Sequence, residues 1–248
     1  MPVDEAGLQG HLSKVRQAAA EGAFVIAYLH DHHWEPNWRE VPTWIQSLAC
    51  ACVDAGARMF VSHGAPVLQP IEIYRGAPIF FGLGNFLFHL NEGEVVRSAP
   101  DVWKSVVATC RFDGSAKLQS IDLHPIVIGG ERLEIDNYHE RIVPVPAPKR
   151  LAIEMIADLA VRSQKYGVTI SLEECRGRIV VANGREARPV PDPTAIGAYK
   201  LQEGRGSYPF QDLKGELLPL IGPQTMRPWT GTFGAADIIL SPSLESGK

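Results

Sequence analysis

The chain is poor in the features that mark several large classes of protein. Its four cysteines contain no C-x-x-C pair and are too few and too scattered for a disulfide scaffold, so buried, reduced thiols are expected. No apolar run is long enough for a membrane span or for the core of a signal peptide. As given, the sequence therefore predicts a cytoplasmic protein with no membrane span.

Positive charge and several catalytic motifs are also missing. A formal net charge of −4 provides no basic footprint for nucleic acid, so no nucleic-acid partner is expected. The chain has no complete phosphate-binding glycine loop, no G-x-S-x-G nucleophile elbow and no H-E-x-x-H zinc motif. These absences argue against a P-loop nucleotide-binding protein and a serine hydrolase of the elbow type.

Composition divides the chain into two parts. With 248 residues and 45% hydrophobic residues, the chain is long and apolar enough to bury a substantial core. Residues 1–183 carry periodic apolar segments and predict one α/β domain. Residues 184–248 contain nine glycines and eight prolines without any helical or strand periodicity. This composition predicts an irregular C-terminal extension that packs over the domain or remains partly mobile.

Three short apolar runs each end on residues that can bind a metal or a substrate. Residues 23–29 lead into His30-Asp31-His32-His33, residues 58–61 into Ser62-His63-Gly64, and residues 78–81 into Gly82-Leu83-Gly84-Asn85. Such runs are typical of strands buried on both faces of a parallel sheet. Ligands of open α/β sheets bind beyond the carboxyl ends of the strands. If the strands are parallel neighbours, these polar residues meet at one place.

The rest of the domain shows helical and hairpin patterns. The segment from Pro42 to Gly56 predicts an amphipathic helix, which makes a right-handed βαβ unit with the strands on either side. Other predicted elements are a helix around Leu8 to Ala19, short extended pieces at Pro70–Tyr74 and Pro78–Phe81, a hairpin of Lys104–Phe112 with Lys117–Leu123, a helix from about Pro148 to Tyr166, and a last strand at Arg178–Ala182.

The histidine cluster is the densest chemical signal. On an extended backbone His30 and His32 point to the same side, so both can reach one ion. Neutral imidazole suits Zn, Mn, Fe or Ni, and a carboxylate from Asp31 or Glu35 would add an oxygen donor. A surface loop in which histidines happen to cluster remains the plain alternative. Taken alone, a histidine after a strand, such as His63, is more often a hydrogen-bonded structural residue, and its position at the neighbouring strand end is what favours a ligand.

Four segments in order resemble a known family. They are Val25–His30, Asp54–Ala57, Ser62–Tyr74 and Pro78–Phe86, and together they resemble the bacterial capsule-synthesis family, the CapA-like proteins. That family is named for poly-γ-glutamate capsule production and has a calcineurin-like metallophosphoesterase fold. The resemblance implies a layered α/β sheet of the metallophosphoesterase type, and it continues more weakly to about Val181.

The resemblance also implies roles for particular residues. His30 matches the histidine after the family's central strand, His63 the first histidine of its Gly-His-x-x-His metal motif, and Asn85 the asparagine of its Leu-Gly-Asn-Phe turn. A branch of the family with His-x-His at the first position fits His30 and His32.

Two departures from the family pattern stand out. Pro66 occupies the position of the second motif histidine and cannot ligate through its side chain. The Gly-Asp and Asn-His motifs of the family's first half are absent, so the chain looks like the C-terminal part of a CapA-like protein with an incomplete fold and no complete two-metal centre.

These observations predict a metal-dependent hydrolase with a reduced site. Its substrate would be a small molecule or a polymer, cleaved at a phosphoester or at an amide or ester bond of a peptide-like polymer such as poly-γ-glutamate. The cofactor would be a divalent ion such as Mn, Zn or Fe. The expected metal ligands are His30, His32 and His63, and the expected catalytic residues are Asp31, Glu35 and Asn85. The rivals are a non-catalytic binding or scaffold protein of the same fold, and a chain whose site is completed by a second copy or another polypeptide.

Overall fold

The computed structural model describes residues 5–32, 35–87, 100–132, 135, 137–141, 143–181 and 238–240. The helices are α1 (Glu5–Ala20), α2 (Thr43–Asp54), α3 (Tyr138–Arg141) and α4 (Lys149–Gln164), with 3₁₀ turns at Pro100–Trp103 and Gly129–Arg132. The strands are β1 (Val25–His30), β2 (Met59–His63), β3 (Ile71–Tyr74), β4 (Ala77–Phe80), β5 (Lys104–Phe112), β6 (Leu118–Val127), β7 (Val145–Pro146), β8 (Ser171–Glu173), β9 (Arg176–Val180) and β10 (Ile238–Leu240).

The first sheet contains the predicted βαβ unit. Its strand order is β10-β1-β2-β4-β3, and β1, β2 and β4 are parallel neighbours. The β1–β2 register runs from Ile26 opposite Met59 to His30 opposite His63. The predictions that these three strands are parallel and adjacent, and that α2 connects the first two, are confirmed.

Proline and glycine mark the ends of α2. Pro42 precedes the first residue of α2, and the buried Ile45, Ala49 and Val53 form its core-facing side. Just beyond its end, Gly56 has φ +113°, and a Cβ there would lie 2.6 Å from the Ala19 Cβ. Glycine is therefore required at residue 56, where the chain leaves α2 and lies against Ala19 of α1.

The second sheet is built on the predicted hairpin. β5 and β6 pair antiparallel, β6 also pairs with β9 and β7, and β9 pairs with β8. The hairpin and α4 are confirmed, although β6 continues to Val127, beyond the predicted end at Leu123. β8 was not predicted, because its three residues are all exposed and carry no apolar alternation.

The core lies on the two faces of the first sheet. One face packs Val25, Ala27 and Phe60 against helices α1 and α2. The other face brings Ile71 and Phe80 together with a set of apolar side chains from the second sheet and α4. That set is Val106, Leu118, Ile121, Leu123, Ile179, Met155, Ile156 and Leu159. The protein is thus an α/β fold with open sheets, as predicted from the sequence.

The C-terminal extension is described over three residues only. Ile238–Leu240 forms β10 and pairs antiparallel with Val25–Ala27 at the edge of the first sheet. The prediction of an irregular extension is therefore wrong for this segment, because open backbone groups at a sheet edge can recruit a strand without a long periodic pattern. The remaining residues of 184–248 lie outside the described part of the chain, as does His33. Among the described residues, no helix is long and apolar enough to cross a membrane.

Candidate metal centre

Three imidazoles converge at the carboxyl ends of β1 and β2. His30 and His63 are the last residues of these strands and lie opposite each other in the parallel register. Their ring centroids are 4.7 Å apart, and those of His30 and His32 are 4.6 Å apart. All three side chains are exposed to solvent. The structure therefore brings together the three histidines that the sequence selected, far inside the limit of about 10 Å that a shared ion would tolerate.

The backbone around Gly64 holds this arrangement. The Asp31 N–H donates to the His63 carbonyl at 2.8 Å, so the hydrogen-bond ladder between the strands extends one residue beyond β1. Gly64 has φ +124°, and a Cβ there would lie 1.8 Å from the Asp31 carbonyl oxygen. The chain that carries His32 can cross the end of β2 only because Gly64 has no side chain.

The electrostatics of the cluster favour neutral imidazole at His63. Partial loss of solvent around His63 lowers its pKa below the usual value, and the positive charge that His30 and His32 can carry lowers it further. A metal ligand must be neutral imidazole, because the protonated ring has no lone pair to donate. The lowered pKa of His63 therefore favours the form of the ring that a metal requires.

The donors are of the right type for a transition metal. Ligand nitrogens lie about 2 Å from zinc, so the centres of two rings on one ion lie roughly 5 Å apart, close to the spacings seen here. Across the described ranges, no group of three or more His, Cys, Asp or Glu side chains is already arranged to hold an ion. The imidazoles would have to turn about their side-chain bonds to share one.

The expected carboxylates differ in exposure. Asp31, between the first two histidines, is 8% exposed. Glu35 is half-buried in the segment that follows His32. Asp31 adjoins His30 and His32 in the chain, and Glu35 follows His32 by three residues. The roles of both carboxylates as ligand or general base stay predictions.

The Asn85 side chain connects two neighbouring segments by hydrogen bonds. Its amide nitrogen donates to the Pro66 carbonyl at 3.3 Å and to the Val102 carbonyl at 3.1 Å. These bonds tie the Gly82–Asn85 turn to the segment after His63 and to the 3₁₀ turn before β5. A contact from Asn85 to a substrate or metal would therefore have to use its amide oxygen.

Sequence reasoning missed Gln69. This residue is 2% exposed, and its amide nitrogen donates to the carbonyls of Trp38 and Glu40 at 2.8 and 3.0 Å. These bonds hold the segment that follows the histidine cluster against the chain between β2 and β3. A single glutamine among apolar residues carries no spacing signal, so only the structure reveals this tie.

The comparisons with known proteins bear on this site. Residues 2–90 match the family model described as bacterial capsule synthesis protein PGA_cap, and that range contains every one of the histidines above. The PGA biosynthesis protein CapA of Bacillus subtilis is 47% identical over 57 residues, which cover 23% of this chain and 15% of that protein. The chain therefore matches the CapA-like capsule synthesis family over part of its length.

Two further relatives extend the comparison. The capsule biosynthesis protein CapA of Bacillus anthracis is 44% identical over 57 residues, covering 23% of this chain and 14% of that protein. An uncharacterized protein of Sinorhizobium fredii, y4sH, is 31% identical over 208 residues, covering 68% of this chain and 43% of its own length. The chain thus spans less than half the length of these relatives.

Proposed function

We propose that this CapA-like chain is a metal-dependent hydrolase that binds one divalent ion through His30, His32 and His63. The observation that carries the proposal is the convergence of these rings at the ends of two adjacent parallel strands. Mn, Zn and Fe all accept imidazole donors, so each of them suits this set of ligands.

The chain's own residues would perform the following roles. The three imidazoles hold the ion, and when bound it supplies a water of lowered pKa and polarises the scissile group. Asp31 or Glu35 accepts the proton of the attacking water or adds an oxygen ligand. Asn85 positions the substrate through its amide oxygen, since its amide nitrogen already donates to two backbone carbonyls.

The proposed substrate is a phosphoester, or an amide or ester bond in a peptide-like polymer such as poly-γ-glutamate. Support for the polymer comes from two relatives whose names refer to capsule or PGA biosynthesis. Support for a phosphoester comes from the resemblance of the four motifs to the metallophosphoesterase type. A fold can host many reactions, so the assay must include both classes.

A second candidate is a non-catalytic binding or scaffold protein of the same fold, or a chain whose site is completed by another polypeptide. Pro66 supports it, because it stands where the family places a second histidine ligand. The lack of a ready three-donor group in the described residues supports it as well.

The test is turnover of a panel of phosphoesters, carboxylic esters and γ-glutamyl amides by metal-loaded protein. We expect activity that a chelator abolishes and that His63→Ala lowers at least about a hundredfold, because a lost ligand weakens the ion and its water together. His11→Ala is the matched control, since His11 lies on α1 and not at the ends of β1 and β2.

Two results would count against the hydrolase. If the metal-loaded protein cleaves no member of the panel, the binding-scaffold candidate becomes the better account. If activity survives both the chelator and His63→Ala, the reaction uses other residues. Measurement of the oligomeric state, alone and with candidate partners, tests whether a second chain completes the site.

A further inference from the structure

One face of β1 carries a row of side chains that leads to the histidines. Successive residues of a strand point to opposite faces of the sheet, so Tyr28 lies on the same face as His30. The other face, with Val25 and Ala27, packs against α1 and α2. Tyr28 is half-buried, whereas His30 is exposed. The row therefore passes from a partly buried tyrosine to an exposed histidine at the end of the strand.

The Tyr28 ring is a direct neighbour of the His63 ring. In the parallel register Tyr28 is opposite Val61 and His30 is opposite His63, so Tyr28 and His63 are diagonal neighbours on this face. Their ring centroids are 6.2 Å apart, and the ring planes differ by 33°. Aromatic rings attract each other at centroid separations of about 4.5–7 Å. The His63 ring is therefore held between Tyr28 on one side and His30 on the other.

Ring contacts, and not hydrogen bonds, orient His63. A metal-bound histidine usually donates its second ring N–H to a carboxylate, a backbone carbonyl or a water, and this bond fixes the direction of the ring. Among the residues that the structure describes, none forms a hydrogen bond with a ring nitrogen of His63. The orientation of this imidazole therefore depends on the rings packed beside it.

The contact with Tyr28 differs from the contact with His30. The planes of His30 and His63 are 70° apart, and an ion on His63 would require the exposed His30 ring to turn toward it. Tyr28 is not among the proposed ligands, so its ring can stay in place while the ion binds. A ligand that is already held in its bound position loses less conformational freedom on binding, which raises the affinity.

We propose that Tyr28 is a positioning residue for the metal centre, where its ring keeps the His63 imidazole in the place at which His30 and His32 can share an ion with it. The inference rests on the proposed binding of an ion by these three histidines. It assigns the role to the tyrosine ring and not to the hydroxyl group, because the contact joins the two rings. Phenylalanine at residue 28 should therefore serve as well.

The test is the zinc affinity of the full chain and its variants, measured by competition with a chromophoric chelator. We expect Tyr28→Leu to weaken zinc binding about 2- to 10-fold, the range that corresponds to the loss of one aromatic pair. Tyr28→Phe should bind zinc like the unmodified chain. Tyr28→Ile is a second variant without a ring, because β-branched side chains are favoured in strands.

Phe24→Leu is the matched control. Phe24 lies just before β1 on the same face as Tyr28 by the alternation of the strand, and its ring contacts Phe112 with centroids 4.8 Å apart. The substitution removes an aromatic pair of similar strength that includes no histidine. Zinc affinity should therefore be unchanged, even if the free energy of unfolding decreases.

Proton NMR of the metal-free chain gives a readout that does not require an ion. The ring current of Tyr28 should shift the carbon-bound ring protons of His63. We expect this shift to be lost in Tyr28→Leu and kept in Tyr28→Phe and Phe24→Leu.

The inference is overturned if Tyr28→Leu and Tyr28→Ile bind zinc as tightly as Phe24→Leu, or if Tyr28→Phe loses as much affinity as they do. His63 proton signals that are the same in Tyr28→Leu and the unmodified chain would also overturn it. An unmodified chain that binds no zinc would reject the proposed metal site itself, and this inference with it.

Discussion

At the scale of single residues, the contact between Gly64 and Asp31 ties the backbone to the candidate site. The Asp31 carbonyl occupies the space that a Gly64 side chain would need. That carbonyl belongs to the peptide that continues to His32, so a side chain at residue 64 would push His32 away from the other two rings. Gly64 is therefore a positioning residue for the three histidines.

We predict that Gly64→Ala weakens zinc binding about 10- to 100-fold, the range seen when a supporting group of a metal site is lost. Gly76→Ala is the control, because Gly76 also has a positive φ, +81°, but a Cβ there meets nothing within 4 Å. Both variants carry the strain of a positive φ, and only Gly64→Ala carries the clash. Equal zinc affinity in the two variants would show that the Asp31 contact does not position His32.

The lowered pKa of His63 predicts how stability depends on pH. Above the ordinary histidine pKa of about 6.5, the ring is neutral in both the folded and unfolded chain. As the pH falls below that value, the unfolded chain takes up a proton that the folded chain resists, so the free energy of unfolding decreases until the lower folded-state pKa is passed.

Urea unfolding of the metal-free protein at several pH values between 8 and 5 tests this expectation, since the window lies about the ordinary pKa of histidine. In the unmodified chain the free energy of unfolding should decrease in acid. We expect this decrease to be smaller in His63→Ala and unchanged in His11→Ala. If both variants lose stability in acid as steeply as the unmodified chain, then His63 does not resist protonation in the folded state.

At the scale of elements, the spacing of apolar residues and the positions of proline and glycine predicted most of the fold. The apolar runs located β1, β2 and β4, and Pro42 and Gly56 located both ends of α2. The alternation after Lys104 located the hairpin. β8 and β10 could not be found this way, because one is fully exposed and the other is a triplet within a glycine- and proline-rich region.

Connections between elements depend on buried polar groups such as Gln69. We predict that Gln69→Leu lowers the free energy of unfolding by about 1–3 kcal/mol, because the Trp38 and Glu40 carbonyls both lose this donor. Gln119→Leu is the control, since Gln119 is exposed and bonds within the hairpin, and it should change stability by less than about 0.5 kcal/mol. Equal losses in the two variants would mean that the Gln69 tie contributes little.

At the scale of the whole molecule, the proximity of His30 and His63 could be predicted from the sequence. The loop contacts that surround these two rings could not. Adjacent parallel strands force their last residues together, so a βαβ unit was sufficient to place these rings. By contrast, loops determine the hydrogen bonds of the Asn85 side chain and the contact between Asp31 and Gly64. Loop conformation follows no sequence periodicity.

The length of the chain relative to the proteins it resembles bears on the whole site as well. It covers 43% of the Sinorhizobium protein and 15% of the Bacillus subtilis protein. Three histidines from one half of a family pattern are enough for a zinc ion with one open position, which is the coordination typical of catalytic zinc. We therefore expect one ion for each chain, even without the ligands of the family's other half.

Metal stoichiometry tests this central claim most directly. The unmodified chain, His63→Ala and His11→Ala are each equilibrated with zinc, dialysed together, and measured for metal and protein on the same samples. We predict one zinc for each unmodified chain, the same for His11→Ala, and a loss of most of the zinc from His63→Ala. An unmodified chain that retains no zinc, or a His63→Ala variant that retains all of it, would contradict the three-histidine site.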